Sequence, residues 1–156
     1  LIKIENKVFP KDVRSSEIDF FIRNYLSKSN IFYGHGTGHG VGNFGDVHEK
    51  YPIISPRSED ILTNNNLFSI EPGHYIDGKY GLRIENLYVT KIINNTLKLK
   101  NISLAPYELD FIDWKLITNF EKRYIKSYHL KIYKILHQRL SKDYKNYFIK
   151  KLIDKI

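Results

Sequence analysis

The chain has 156 residues, 42% of them hydrophobic, no cysteine and a formal net charge of +8. That is enough for one domain with a core, and it rules out disulfides and thiolate-bound metal. There is no 18-residue apolar run and no basic segment leading into an apolar one, so the chain reads as neither membrane-spanning nor secreted. The cysteine-free composition fits a reducing cytoplasm. Lysine is spread along the chain beside abundant Ile, Asn and Tyr, residues that an AT-rich coding sequence favours. A nucleic-acid surface would gather the charge on one face with aromatics between, so no nucleic-acid partner is expected. Methionine is absent, position 1 included, and the chain reads as cut from something longer or begun at an unusual codon.

In chain order, residues 1–10 read as the end of a helix stopped near Phe9-Pro10. Ser16 with Asp19 resembles a capping box. Ile18, Phe21, Ile22, Tyr25 and Leu26 then give one apolar helical face, running to about Ser29. The Gly-rich stretch from Tyr33 to Gly45 makes a poor helix and an interrupted strand. Residues 46–60, with Pro52 and Pro56, read as loop. Leu67 to Glu71 is a predicted strand, Asp77-Gly78 a turn, and Gly81 to Ile92 the returning strand. Asn94-Asn95 turns again into a strand over 96–104. Phe120, Tyr124, Tyr128, Ile132 and Ile135 carry a helical period within 118–140. Residues 142–155 form a Lys-rich amphipathic tail, best read as a solvated helix.

The chemistry gathers in three segments. His35-Gly36-Thr37-Gly38-His39-Gly40 and Val47-His48-Glu49 place three imidazoles within fourteen residues. Glu71 and Glu85 are equidistant from Gly78, so a symmetric hairpin sets them opposite each other. Like charges there are destabilising, and a divalent cation would reverse the repulsion. Arg83 is the other available counter-charge. A neutral His39 imidazole together with carboxylates suits Zn, Mn, Co or Fe. His35 and His48 would orient ligands or shuttle protons. The Gly-rich run lacks the Lys-Ser/Thr ending of a phosphate loop, and it lacks the flanking strand and helix of a dinucleotide site.

These segments, read together as Tyr33-Gly34-His35-Gly36-Thr37-Gly38-His39-Gly40-Val41-Gly42, Val47-His48-Glu49, Ser69-Ile70-Glu71-Pro72-Gly73 with Tyr75, and Tyr80-Gly81-Leu82-Arg83-Ile84-Glu85-Asn86-Leu87, resemble the pita-bread metallopeptidases, and within them the Xaa-Pro aminopeptidase (aminopeptidase P) family. The likeness continues through Leu104-Ala105-Pro106-Tyr107 and Phe111-Ile112-Asp113 to Tyr128-His129, and it spans roughly residues 8–140. It implies an α+β fold: the second half of a pita-bread domain over 1–100, a curved antiparallel sheet with packed helices, followed by a helical C-terminal extension over 101–156. It also implies a two-metal hydrolase, commonly with two Mn2+ (Co2+ or Zn2+ as alternatives), that releases the first residue from peptides with proline second. On the family pattern His39 and Glu71 bind one metal and Glu85 bridges the pair. His48 contacts the scissile peptide or shuttles a proton, His35 shapes the substrate pocket, and Arg83 supports the carboxylates.

The family also takes two aspartate ligands and a histidine from upstream strands, and no segment here matches them. Asp12 and Asp19 sit in a loop and a helix cap and are not assigned. Two readings follow. In one, the chain is the C-terminal part of such an aminopeptidase, inactive alone, with a separately encoded N-terminal fragment and a second copy of itself as partners. In the other, it is a non-catalytic remnant that keeps only scaffold or partner contacts. Strands that should pair with the first half are expected to leave open edges.

Overall fold

A computed structural model describes residues 1–155. The chain divides into two compact units, Leu1–Ser103 and Leu104–Ile156. The first unit opens with a short helix α1 (Ile2–Glu5), a strand β1 (Val8–Pro10) and a helix α2 (Ser15–Ser27), followed by β2 (Gly38–Gly40), β3 (Glu49–Ile54), β4 (Leu67–Ile70), β5 (Gly73–Ile76), β6 (Tyr80–Arg83), β7 (Asn86–Ile93) and β8 (Thr96–Asn101). Six strands form one sheet in the order β1-β8-β7-β4-β2-β3, and β5 and β6 pair separately. All the pairings are antiparallel.

Leu97 and Leu99 alternate with exposed lysines along β8, the two-residue period of a sheet buried on one face. Phe68, Ile70, Tyr88, Leu97 and Leu99 meet Ile18 and Ile22 of α2 and Ile4 of α1 in one core. Each fully buried side chain of this size contributes about 1.5–3 kcal/mol. Of the apolar face read in α2, Ile18 and Ile22 are buried, Phe21 and Leu26 pack partly buried against the core, and Tyr25 is 45% exposed.

Several sequence expectations change. Residues 1–10 are not one helix end. The helix stops at Glu5, and Val8–Pro10 is an edge strand on β8, with Pro10 opposite Thr96. An edge position spares Pro10 the cost of its missing donor. Helix α2 starts at Ser15, and Glu17 Oε1, not Asp19, accepts from the Arg14 N–H at 3.1 Å. Residues 49–54 form β3 where loop was expected; Pro52 and Ile54 are buried, while Tyr51 and Ile53 face out. β3 is also an edge strand, which makes its proline tolerable.

The long returning strand divides at Ile84–Glu85 into β6 and β7. The two halves keep one register: Ile70 pairs with Asn86 in β4–β7, and Gly73 with Arg83 in β5–β6, both symmetric about Gly78. Gly78 takes φ +69°, the left-handed conformation that glycine adopts freely. Glu71 and Glu85 fall at matching positions in the break between the ladders.

The second unit carries a 3-10 turn (Leu109–Phe111), α3 (Asn119–Leu136) and α4 (Lys142–Lys155). Thr118 caps α3: its hydroxyl accepts from the Glu121 N–H at 3.2 Å, and Glu121 Oε2 accepts from the Thr118 N–H at 2.9 Å. Ile125, Tyr128, His129 and Ile132 form the buried stripe of α3. Among the described residues, no helix is long and apolar enough to cross a membrane.

Candidate metal centre

His39 is placed by the two glycines around it. In β2 the flanking Gly38 and Gly40 are buried, and His39 faces the other way, partly exposed. A Cβ on Gly38 would run into the Ser69 carbonyl oxygen, and one on Gly40 into that of Tyr51. The glycines thus let β2 lie close between β4 and β3. The His39 backbone N–H donates to Ser69 Oγ at 3.1 Å, and that hydroxyl donates to Glu71 Oε1 at 3.3 Å.

The ring of His39 has one nitrogen occupied and one available. Nδ1 lies 2.8 Å from the Gly40 carbonyl oxygen, which can only accept, so Nδ1 carries the proton. Nε2 lies 3.2 Å from Glu71 Oε1. In the neutral ring two lone pairs then face each other, an arrangement relieved by a proton on Nε2 or by a cation held between them. His39, Glu71 and Glu85 each offer a ligand atom within 4.8 Å of the others. One borderline nitrogen donor and two hard oxygen donors fit a divalent Mn, Co, Zn or Fe ion.

Glu71 is buried, and its placement is over-determined. Its backbone N–H donates to the Thr37 carbonyl at 2.7 Å. Its Oε2 accepts from Arg83 Nη1 at 3.0 Å. Arg83 therefore pairs across the hairpin with Glu71 rather than along its own strand with Glu85. Its Nε donates to the Tyr75 hydroxyl at 2.9 Å. That hydrogen bond and the nearby Glu71 charge raise the Arg83 pKa further, so the guanidinium stays charged. Tyr75 in turn donates to His35 Nε2 at 2.8 Å, while His35 Nδ1 donates to the Gly36 carbonyl at 2.7 Å. One chain of hydrogen bonds thus runs from His35 through Tyr75, Arg83 and Glu71 to the edge of His39. His48 comes to the same place from β3's N-terminal side, its ring centre 4.4 Å from that of His39. Glu85 lies exposed on the open side.

All six residues singled out from the sequence, His35, His39, His48, Glu71, Arg83 and Glu85, therefore meet in one region. Sequence reasoning missed what holds them there. Tyr75, Ser69 and Thr37 carry no signal of these roles in the sequence. Asp19 is neither a cap nor exposed: it is 1% exposed inside α2 and bound to Arg23, with Nε 2.9 Å from Oδ1 and 3.0 Å from Oδ2. Its signal was available as an Asp–Arg pair at i, i+4 beside the buried Ile18 and Ile22.

Residues 1–91 match the model of metallopeptidase family M24, and residues 95–155 match that of the C-terminal region of peptidase M24. A protein of Fusarium vanettenii named "Probable Xaa-Pro aminopeptidase P" is 39% identical over 142 residues, 84% of this chain and 23% of its own length. One of the same name from Pyrenophora teres is 36% identical over 151 residues, 90% of this chain and 23% of its own. The chain thus spans about a quarter of the length of these curated relatives. The crystal structure of an X-prolyl aminopeptidase from Caenorhabditis elegans, described as a cytosolic enzyme with a di-nuclear active site, superposes with a TM-score of 0.81 at 32% identity, covering 99% of this chain and 26% of that one. A Xaa-Pro dipeptidase from Bacillus anthracis gives 0.56 at 27% identity, covering 67% of this chain and 28% of that one. The α+β fold with its antiparallel sheet is that of these pita-bread structures.

Proposed function

The chain belongs to metallopeptidase family M24, a family of peptide hydrolases, and on that premise we propose that it is the second half of a dinuclear Xaa-Pro aminopeptidase. Residues 1–100 are then the metal-bearing half of the catalytic domain, and 101–156 its C-terminal extension. The observation that carries this reading is the convergence of His39, Glu71 and Glu85 ligand atoms within 4.8 Å. The substrate class, a peptide with proline second, comes from the names of the similar proteins.

His39 and Glu71 would hold one cation, and Glu85 would be shared between it and a second. Mn2+ is the expected ion, with Co2+ or Zn2+ able to use the same donors. Bound there, the pair supplies Lewis-acid polarisation of a peptide carbonyl and a nucleophile at neutral pH. The protein's part is to fix the donors. Gly40 holds the His39 proton on Nδ1 and leaves Nε2 to bind. Arg83 holds one oxygen of Glu71 and leaves the other toward His39. His48 contacts the peptide or moves its proton, and His35, fixed by Tyr75, shapes the wall of the pocket. Of these residues only Glu85 would serve a second cation. The remaining carboxylates must come from residues outside these 156, and the purified chain is expected to be inactive. The cytoplasm suits a cysteine-free site of this kind. The second copy of the chain remains a partner to test by solution mass.

The test is complementation. Residues 1–156 with Mn2+ should leave a Xaa-Pro peptide intact. Coexpression with the upstream catalytic segment of a similar enzyme should yield a complex that cleaves it. Cleavage by residues 1–156 alone contradicts the proposed division of ligands. A stable complex that binds two Mn2+ without cleaving favours a non-catalytic remnant.

A further inference from the structure

We propose that Asp19, Arg23 and Thr37 form a buried latch that positions the metal-binding segment on α2, making them positioning residues for His35, His39 and Glu71. The inference rests on the reading of that segment as a metal site.

Asp19 is a carboxylate 1% exposed. A charge so placed is costly unless paired and hydrogen-bonded. Arg23 Nε meets both its oxygens, and the Thr37 hydroxyl donates to Oδ1. Arg23 has two further groups to give, and both go to the backbone of the Gly-rich segment: Nη1 to the Tyr33 carbonyl at 2.8 Å and Nη2 to the His35 carbonyl at 2.6 Å. Its guanidinium carbon also lies 4.1 Å from the centre of the Tyr33 ring. Tyr33 closes the circuit by donating its hydroxyl to Thr37 Oγ1 at 2.6 Å. Burial holds that phenol above its ordinary pKa, so it remains a donor.

Thr37 links the latch to the site. Its side chain is tied to α2, its N–H donates to Ile54 of β3 at 2.8 Å, and its carbonyl accepts the N–H of Glu71 at 2.7 Å. It lies two residues from both His35 and His39. One buried residue therefore connects the helix, the two histidines and the carboxylate. General stability does not require this device, because Ile18 and Ile22 already bury α2 in the core, and a buried ion pair is often no more stabilising than apolar residues of its size. What the latch adds is geometry. The rigid fork of Arg23 fixes two carbonyls two residues apart relative to one carboxylate.

The variants are Thr37→Val, which keeps the shape and removes the hydroxyl, Thr37→Ser, which restores it, and Arg23→Lys, which keeps the charge and loses the fork. Long-range 1H–15N spectra of the metal-free chain report the tautomer of each histidine ring. In the parent, His35 and His39 should each show one Nδ1–H tautomer. Thr37→Val and Arg23→Lys should give both rings averaged or mixed tautomers, Thr37→Ser should recover the parent pattern, and His129 should not change in any variant. Unchanged His35 and His39 rings in folded Thr37→Val and Arg23→Lys overturn the latch. Mn2+ titration of the same proteins should show affinity weakened at least ~10-fold in the two disruptive variants. Equal affinity in parent and variants also overturns the latch. A parent that binds no Mn2+ refutes the metal reading instead, and the tautomer spectra still decide the latch.

Discussion

Two histidines in this chain, His39 and His129, are both drawn into the protein, and they end differently. His129 is 2% exposed in α3 of the second unit. Both its nitrogens face backbone carbonyls, Nδ1 that of Ile125 at 2.8 Å and Nε2 that of Tyr107 at 3.1 Å. Its faces are filled by Tyr107, Tyr128 and Phe148. Both nitrogens are thus taken up by backbone oxygens inside the unit, and neither is open to a cation. His39 gives one nitrogen to a carbonyl and turns the other to a carboxylate, with a second carboxylate in reach. Burial alone therefore does not mark a ligand. The chemistry of what each ring nitrogen faces does.

The largest expected effect tests the ligand side of that contrast. Glu71→Ala should weaken Mn2+ binding by more than ~100-fold, since loss even of a residue supporting a ligand costs 10–100-fold. Calorimetry or the free-Mn2+ paramagnetic signal would read it, and near-parental affinity would show that Glu71 is not a ligand. The structural side is tested by His129→Ala. It should destabilise the second unit by about 2–3 kcal/mol through lost packing and hydrogen bonds, seen in urea melts of helical circular dichroism, and leave Mn2+ affinity unchanged. A fall in affinity would erase the distinction between the two rings.

A smaller effect separates stability in the second unit from events at the site. Thr118→Ala removes the cap of α3 and should cost about 1 kcal/mol, again without altering metal binding. The smallest effect is a pH dependence. The hydrogen bonds from Lys151 and then Lys155 hold the Asp110 carboxyl below its ordinary 3.8. The folded form thus takes up this proton at lower pH than the unfolded chain. The contribution is fully present above 3.8 and is lost as pH falls through the lowered folded value. Asp110 is an exposed group, so the contribution is small. Acid melts of Asp110→Asn should show a flatter stability profile below that range than the parent. An identical profile would show that the contact contributes nothing.

How much of this was legible in the sequence follows the physics of each signal. The α2 stripe and the two C-terminal helices were, because a 3.6-residue apolar period survives without knowledge of neighbours. The symmetric placement of Glu71 and Glu85 about Gly78 was, because hairpin register follows from its turn. The strand Glu49–Ile54 was not: its proline argues against a strand unless the strand lies at an edge, and edge position is a tertiary fact. The break between β6 and β7 was also hidden, since Ile84 continues the apolar pattern through it. At the site, imidazoles and carboxylates announced themselves by type and spacing. Ser69, Thr37 and the Asp19–Arg23 pair did not, because their roles depend on contacts between segments 10 to 34 positions apart along the chain.

The most direct measurement of the central claim is electron spin-echo envelope modulation of Mn2+ added to residues 1–156. The account predicts nitrogen modulation from one coordinated imidazole, lost in His39→Gln and retained in His129→Gln. Mn2+ with no nitrogen coupling in the parent, or coupling that survives His39→Gln, would contradict it.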